Sequence, residues 1–251
     1  MLEFRNVAVG YGKKQVLTGV NASFHMGELT AVLGPNGSGK STLLKTALGL
    51  LPPSEGRVLL DGTALSDFTP AKAARQLAWL PQEKGQLSMT AEQLVLCGRF
   101  PYLRYPRRYR EEDREAAWAA MERLGITRLA KLPLHTLSGG QRQSVYVAMA
   151  LAQDTPWILL DEPTAFLDIA GCFSLMETLK ALAAEGKGIV AVLHDLPLAL
   201  EYADSVLLLE KGTVAARGTP EAVCATGSLD RVFGIRVVRN ADGAIQCKKI
   251  P

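Results

Sequence analysis

The stretch Gly34-Pro35-Asn36-Gly37-Ser38-Gly39-Lys40-Ser41-Thr42 decides the fold. It fits the spacing G-x-x-x-x-G-K-[ST], in which glycines let the backbone curl until successive N–H groups point inward at phosphate oxygens. A helix that begins at the end of such a loop adds the positive end of its dipole. In that arrangement Lys40 reaches the β- and γ-phosphates, the Ser41 hydroxyl ligates Mg2+, and Thr42 bonds near the α-phosphate. The flanks agree. Residues 28–33 are a short apolar run that predicts a buried strand, and Leu43, Leu44, Ala47 and Leu48 recur at helical spacing within residues 41–50. The reading is a nucleotide site between a buried strand and an amphipathic helix.

Outward from this loop, residues 1–20 alternate around Gly10-Tyr11-Gly12 and predict strand, turn, strand. Residues 56–61 predict a further strand, closed by Asp61-Gly62. From about residue 71 to 152 charged helical stretches dominate, notably 111–125, and predict a helical lobe inserted into an α/β core. Apolar strands return at 157–160 and 188–193, with a helix predicted over 164–184 between them. Residues 205–210 and 213–216 predict a hairpin about Lys211-Gly212, and residues 237–245 another about Asp242-Gly243. Strands that alternate with helices predict an α/β fold with a mostly parallel sheet.

Composition excludes several classes. The 251 residues allow one large domain, or one with a smaller lobe. Hydrophobic residues at 48% and charged residues at 21% exclude a disordered chain. Twenty-eight Lys and Arg against 25 Asp and Glu give a net charge of +3, too small to argue for nucleic-acid binding. Cys97, Cys172, Cys224 and Cys247 lie far apart with no CxxC, so the expectation is reduced thiols in a cytosolic protein. No apolar run is long enough for a transmembrane helix. Met1-Leu2-Glu3-Phe4-Arg5-Asn6 lacks the basic-then-apolar order of a signal peptide, so any membrane work is expected to pass through a partner.

Two further stretches carry chemistry. Trp157-Ile158-Leu159-Leu160-Asp161-Glu162 is an apolar strand ending in two carboxylates. After such a strand in a P-loop sheet, the first carboxylate holds Mg2+, often through water, and the second is placed to orient or deprotonate an attacking water. Successive strand residues face opposite ways, so Asp161 and Glu162 share one site only if the chain turns there, as Pro163 favours. Ser138-Gly139-Gly140-Gln141, ahead of a helical run over 142–152, offers a second phosphate nest at a helix start. One nucleotide does not need two cradles. The second is either a helix cap or part of the site for another subunit's nucleotide.

Leu137-Ser138-Gly139-Gly140-Gln141, lying between the phosphate loop and the carboxylate strand, resembles the signature of ABC transporter ATP-binding subunits. The resemblance runs over about residues 2–234. It implies that Tyr11 stacks on adenine and that Gln82, after Leu80-Pro81, senses Mg2+ and the membrane partner. It makes Asp161 the metal ligand, Glu162 the general base, Asp168 the inter-subunit loop aspartate and His194 the switch histidine. The implied fold is a P-loop NTPase core with an N-terminal antiparallel β subdomain and an inserted helical lobe. One ABC domain is expected over residues 1–251, with its core at about 1–82 and 153–235, its lobe at about 83–152 and a C-terminal hairpin at about 236–251. The implied cofactors are ATP and Mg2+. The implied partners are a second copy arranged head to tail, two membrane-spanning permease subunits and an extracytoplasmic substrate-binding protein, with no nucleic acid. The implied place is the cytoplasmic face of the cell membrane.

Finer likenesses point to a branch. Cys97-Gly98-Arg99-Phe100-Pro101-Tyr102, Leu151-Ala152-Gln153-Asp154-Thr155-Pro156, Phe166-Leu167-Asp168-Ile169 and Val232-Phe233-Gly234-Ile235 resemble importer ATPases for ferric siderophores, haem and cobalamin. A transporter for another cargo is the alternative. Ser144 stands where the family often has Arg. Residues 99–110 hold Arg99, Arg104, Arg107, Arg108 and Arg110 among Tyr102, Tyr105 and Tyr109. That segment is open to a membrane partner, anionic lipid, single-stranded nucleic acid or plain solvent. ABC ATPases acting on DNA or ribosomes carry long coiled coils, zinc-binding cysteines or a second cassette, and this chain has none of these. A small-acceptor kinase would have neither the signature nor His194.

Overall fold

The computed structural model describes residues 1–82, 87–239 and 245–249. The chain opens with strands β1 (Leu2–Tyr11) and β2 (Lys14–Phe24), a hairpin closed tightly at Gly12-Lys13. Strand β3 (Leu29–Leu33) follows, then helix α1 (Lys40–Ala47), β4 (Glu55–Leu60), β5 (Thr63–Ala64), α2 (Pro70–Ala74) and β6 (Leu77–Leu80). Helices α3 (Ala91–Cys97), α4 (Glu111–Arg123) and α5 (Gly139–Ala152) pack on one another. Then come β7 (Trp157–Asp161), α6 (Ile169–Ala184), β8 (Gly188–Val192), α7 (Leu196–Tyr202), β9 (Ser205–Glu210) and β10 (Thr213–Gly218). Helices α8 (Pro220–Ala225) and α9 (Ser228–Phe233) precede the paired strands β11 (Ile235–Arg239) and β12 (Ile245–Lys249).

Two sheets carry the structure. An antiparallel sheet runs β2-β1-β4-β5, and a six-stranded sheet runs β10-β9-β3-β8-β7-β6. The second is parallel except for its β9/β10 edge. Every residue of β3, β7 and β8 is buried, as expected of parallel strands covered on both faces. Side chains alternate across this sheet. Val32, Leu159, Val190 and Leu207 face the antiparallel sheet and the Leu43, Leu44 and Ala47 stripe of α1. Ala31, Ile158, Ile189 and Leu208 face the opposite core, built with α3, α5, α6 and α7.

Several boundaries differ from the sequence expectation for local reasons. Helix α1 stops before Gly49, which has φ +71°. Helix α6 begins at Ile169 rather than 164, because Glu162 (φ +53°) and Phe166 (φ +65°) bend the chain and the Asp168 carboxylate caps the helix by accepting from Gly171 N at 2.7 Å. Helix α5 begins three residues earlier than expected, at Gly139, where Ser138 caps it. The tail does form two paired strands, but its expected Asp242-Gly243 turn lies outside the described residues. The arginine-rich segment is not a uniform basic face. Arg99 is withdrawn into an ion pair with Asp113 at 3.2 Å, donates to Ala152 O and lies 4.1 Å over the Tyr102 ring. Arg107 covers Phe100, while Tyr105 is 97% exposed.

Gly188 sits at a tight seam between neighbouring strands, since a Cβ there would collide with the buried indole of Trp157. Gly188→Ala is expected to lower unfolding free energy by about 1–3 kcal/mol through overpacking. The urea midpoint measures it, and an unchanged midpoint would show that the indole yields.

Candidate functional site

The carboxyl ends of the parallel strands all open onto one edge of the sheet, where α/β folds bind ligands. Strand β3 delivers the loop of residues 34–39, β6 delivers Gln82, β7 delivers Asp161 and Glu162, and β8 delivers His194. The loop needs its glycines. Gly34 has φ +150° and passes so close to Leu209 O that a Cβ would collide with it, and Gly39 has φ +103° directly before α1. The loop closes on its own lysine. Lys40 is 6% exposed, and its Nζ donates to Gly34 O at 2.8 Å and Pro35 O at 3.1 Å. Burial lowers the Lys40 pKa, against the opposing pull of Glu162 and Asp161.

The two carboxylates at the end of β7 are sorted by the turn. Asp161 is buried beneath the loop at 2% exposure, and burial pushes its pKa up while the Ser41 hydroxyl pulls it down. Glu162 adopts φ +53°, so its side chain turns to the same edge. Its Oε1 accepts from Gln82 Nε2 at 2.7 Å and meets His194 Nε2 at 2.7 Å. One carboxylate oxygen thus gathers residues from three strand ends.

These groups line an open cleft of about 740 Å³, together with Tyr11, Asn36, Gly37, Gly39, Ser41 and Thr42. Tyr11 is half exposed, at 49%. Gly34, Pro35 and Ser38 lie behind the lining and hold the loop. Among the described residues, Ser38 Oγ and Asp161 Oδ1 are buried polar atoms with no partner inside the chain. Unsatisfied buried oxygens are costly unless a ligand completes them. An all-oxygen pair from Asp161 and Ser41 suits a hard cation such as Mg2+, so the residues present fit that ion.

The structure does not bring the signature into this cleft. Ser138 and Gln141 form a reciprocal cap: Gln141 N donates to Ser138 Oγ at 3.2 Å, and Ser138 N to Gln141 Oε1 at 3.1 Å. Gly139 and Gly140 leave room for Phe166, which is 79% exposed. Asp168 caps α6 away from the cleft.

The sequence profile of the ABC transporter family matches residues 17–165. The chain is 40% identical over 237 residues to the ferric enterobactin transport ATP-binding protein of Escherichia coli K12, covering 94% of this chain and 88% of that protein. The chain belongs to the ABC transporter family. It is also 44% identical over 221 residues to the hemin import ATP-binding protein of Nocardia farcinica, covering 88% and 76% of the two chains. Among solved structures, it matches a dimeric post-hydrolysis ATP-binding cassette bound to ADP and Pi. The TM-score is 0.78 at 30% identity, covering 88% of this chain and 99% of that one.

Ser144 is satisfied locally, because its hydroxyl donates to Gly140 O one turn back at 3.2 Å. Sequence reasoning missed four features of this ABC cleft. Lys14 and Lys211 add cations to its lining, and Gln15 and Val16 complete the wall beside Tyr11. Gly212 N donates to Ser38 O at 3.1 Å, which ties the β9–β10 turn to the phosphate loop. The Lys211-Gly212 turn itself was legible; its landing on the loop is a tertiary fact with no local signal. Gln143 was the fourth omission. It is 2% exposed and bonds the main chain beside Glu162.

The buried Asp161 generates an opposed pair of outcomes. Its pKa is raised in the folded state, so stability is lost as pH rises from the ordinary carboxylate range through that raised value. Asp161→Asn removes this penalty. The nucleotide-free variant is expected to melt above wild type at neutral pH, with the gain vanishing in acid. Its Mg-ATP turnover is expected to fall by on the order of 100-fold or more. A lower melting point at pH 7 would contradict the assigned sign.

Proposed function

We propose that this chain is the ATP-binding and ATP-hydrolysing subunit of a membrane importer that powers uptake of an iron–siderophore or a related metal chelate such as haem or cobalamin. One observation carries the ATPase reading: Gln82 and His194 converge on one oxygen of Glu162 at the mouth of a phosphate cradle. A cradle alone binds nucleotide. A held carboxylate beside it supplies a base for water. The cargo class is supported by the ferric enterobactin and hemin proteins to which the chain is similar. A different cargo is the alternative.

The mechanism follows from the geometry. The N–H groups of residues 34–39 and the start of α1 take the phosphates. Lys40 exchanges the carbonyls of Gly34 and Pro35 for phosphate oxygens, so its charge is already in place when the nucleotide arrives. Thr42 bonds nearer the α-phosphate, and Tyr11, exposed at the rim, stacks on adenine. Ser41, Asp161 and Gln82 would hold Mg2+, which when bound neutralises charge on the β- and γ-phosphates. Glu162 takes the proton of the attacking water, a role worth about 10²–10⁴-fold in general-base catalysis. His194 steadies the carboxylate and the water beside the γ-phosphate. Gln82 does so from the other side.

One copy is incomplete. Ser138, Gly139, Gly140, Gln141 and Asp168 lie outside the cleft, and a second copy arranged head to tail would press them onto this copy's nucleotide. The dimeric cassette bound to ADP and Pi supports that arrangement. The whole of residues 1–251 is read as one such domain, with the helical lobe carrying the signature. Among the described residues no helix is long and apolar enough to cross a membrane. Two permease subunits would hold the dimer at the cytoplasmic face, served outside by a substrate-binding protein. An apolar groove of about 430 Å³ lined by Leu50, Leu65, Phe68, Leu77 and Trp79 offers them a surface. Strand β6 runs from that groove to Gln82, so contact there would be felt at Glu162.

Uptake tests the reading. In a host lacking only this chain, labelled ferric siderophore, haem and cobalamin are compared at nanomolar concentration. Loss of one cargo is expected, restored by wild type and not by Lys40→Ala. Unchanged uptake of all three would overturn the cargo class.

A further inference from the structure

Glu162 does not hold its own conformation. A non-glycine residue at φ +53° occupies a region of backbone space that persists only where the surroundings fix it. Its N–H donates to Val192 O at 3.2 Å, which anchors one side of the residue to β8. The other side is held from α5. Gln143 Nε2 donates to Glu162 O at 3.2 Å and to Pro163 O at 2.7 Å. A primary amide carries two donors in one plane, and here they clasp two successive carbonyls across the turn. The donor is buried, so no water stands ready to replace it. Helix α5 is a firm base for the clasp, because its start is fixed by the Ser138–Gln141 cap and its flanks pack on α3 and α4.

We propose that Gln143 is a positioning residue for ATP hydrolysis, whose amide holds the turn at Glu162 and Pro163 and thereby aims the Glu162 carboxylate at the cleft. This rests on the reading of Glu162 as the base. Gln143 reaches the cleft only from behind, through the Glu162 main chain, and does not itself line it, so its loss should leave nucleotide binding intact. What loosens is the carboxylate. A displacement of about 1 Å at a reacting group is enough to lower a rate on the order of 100-fold.

The test compares Mg-ATP turnover of the full chain as wild type, Gln143→Met and Gln143→Glu, each also in a Glu162→Gln background. Methionine keeps the bulk and loses both donors. Glutamate keeps the shape and turns acceptors toward the two carbonyls. The expected result is a kcat lower by about 10–100-fold, with KM for ATP within about threefold of wild type. In the Glu162→Gln background the same change should lower residual turnover by less than about twofold, because it acts through the carboxylate already removed. A kcat near wild type, an equal fall in both backgrounds, or a loss carried by KM would each overturn the proposal. If the Met variant does not fold, the Glu variant carries the same comparisons. Loss of the fold in both would assign Gln143 to stability and overturn it as well. A wild-type chain without Mg-ATP turnover would instead contradict the ATPase reading beneath it.

Discussion

The structure depends on the left-handed turn at Glu162. Parallel strands buried on both faces leave only their ends for chemistry, and strand alternation would send the two terminal carboxylates of β7 in opposite directions. The turn breaks that alternation. Asp161 stays buried beneath the phosphate loop, and Glu162 swings to the cleft, where Gln82 and His194 reach the same oxygen. Two adjacent residues of one chemical type thereby acquire different surroundings. Burial pushes the Asp161 pKa up, while Glu162 lies partly open beside a histidine.

The remaining architecture supplies the frame for that turn. The β9–β10 hairpin ties to the phosphate loop through Gly212, and α5 clasps the main chain beyond β7 through Gln143. Lys40 is folded into the loop by its carbonyls, a charge stored where phosphate oxygens would sit. Yet the cleft is open, and the signature stays capped on its own helix. Among the described residues, Ser38 and Asp161 keep buried oxygens with no partner in the chain, and Phe166 stands exposed beside the signature glycines.

What was legible in the sequence was local or periodic. The loop from Gly34 to Ser41 follows a fixed spacing because backbone geometry demands it, and the fully apolar runs of β3, β7 and β8 follow from burial on both faces. The cap at Ser138 has its partner three residues on, at Gln141. Long-range placement was legible only through the family resemblance, which named Tyr11, Gln82 and His194, and not from the residues themselves. Lys14, Lys211 and Gln143 look like ordinary surface or helix residues until the sheets close, because nothing near them in sequence marks the carbonyl or cleft they meet. Residues 164–168 read as helix in the sequence but form the turn between β7 and α6, since positive φ at Glu162 and Phe166 carries no glycine signal.

The dimer gives the most direct measurement. With Glu162→Gln the clasped turn and cradle remain while the proposed base is lost, so nucleotide should bind and persist. Light scattering of this variant is expected to show a monomer without nucleotide and a stable dimer with Mg-ATP, and phosphate release should be close to absent. A variant that stays monomeric in Mg-ATP, or releases phosphate at the wild-type rate, would contradict the claim that Glu162 drives hydrolysis between two copies.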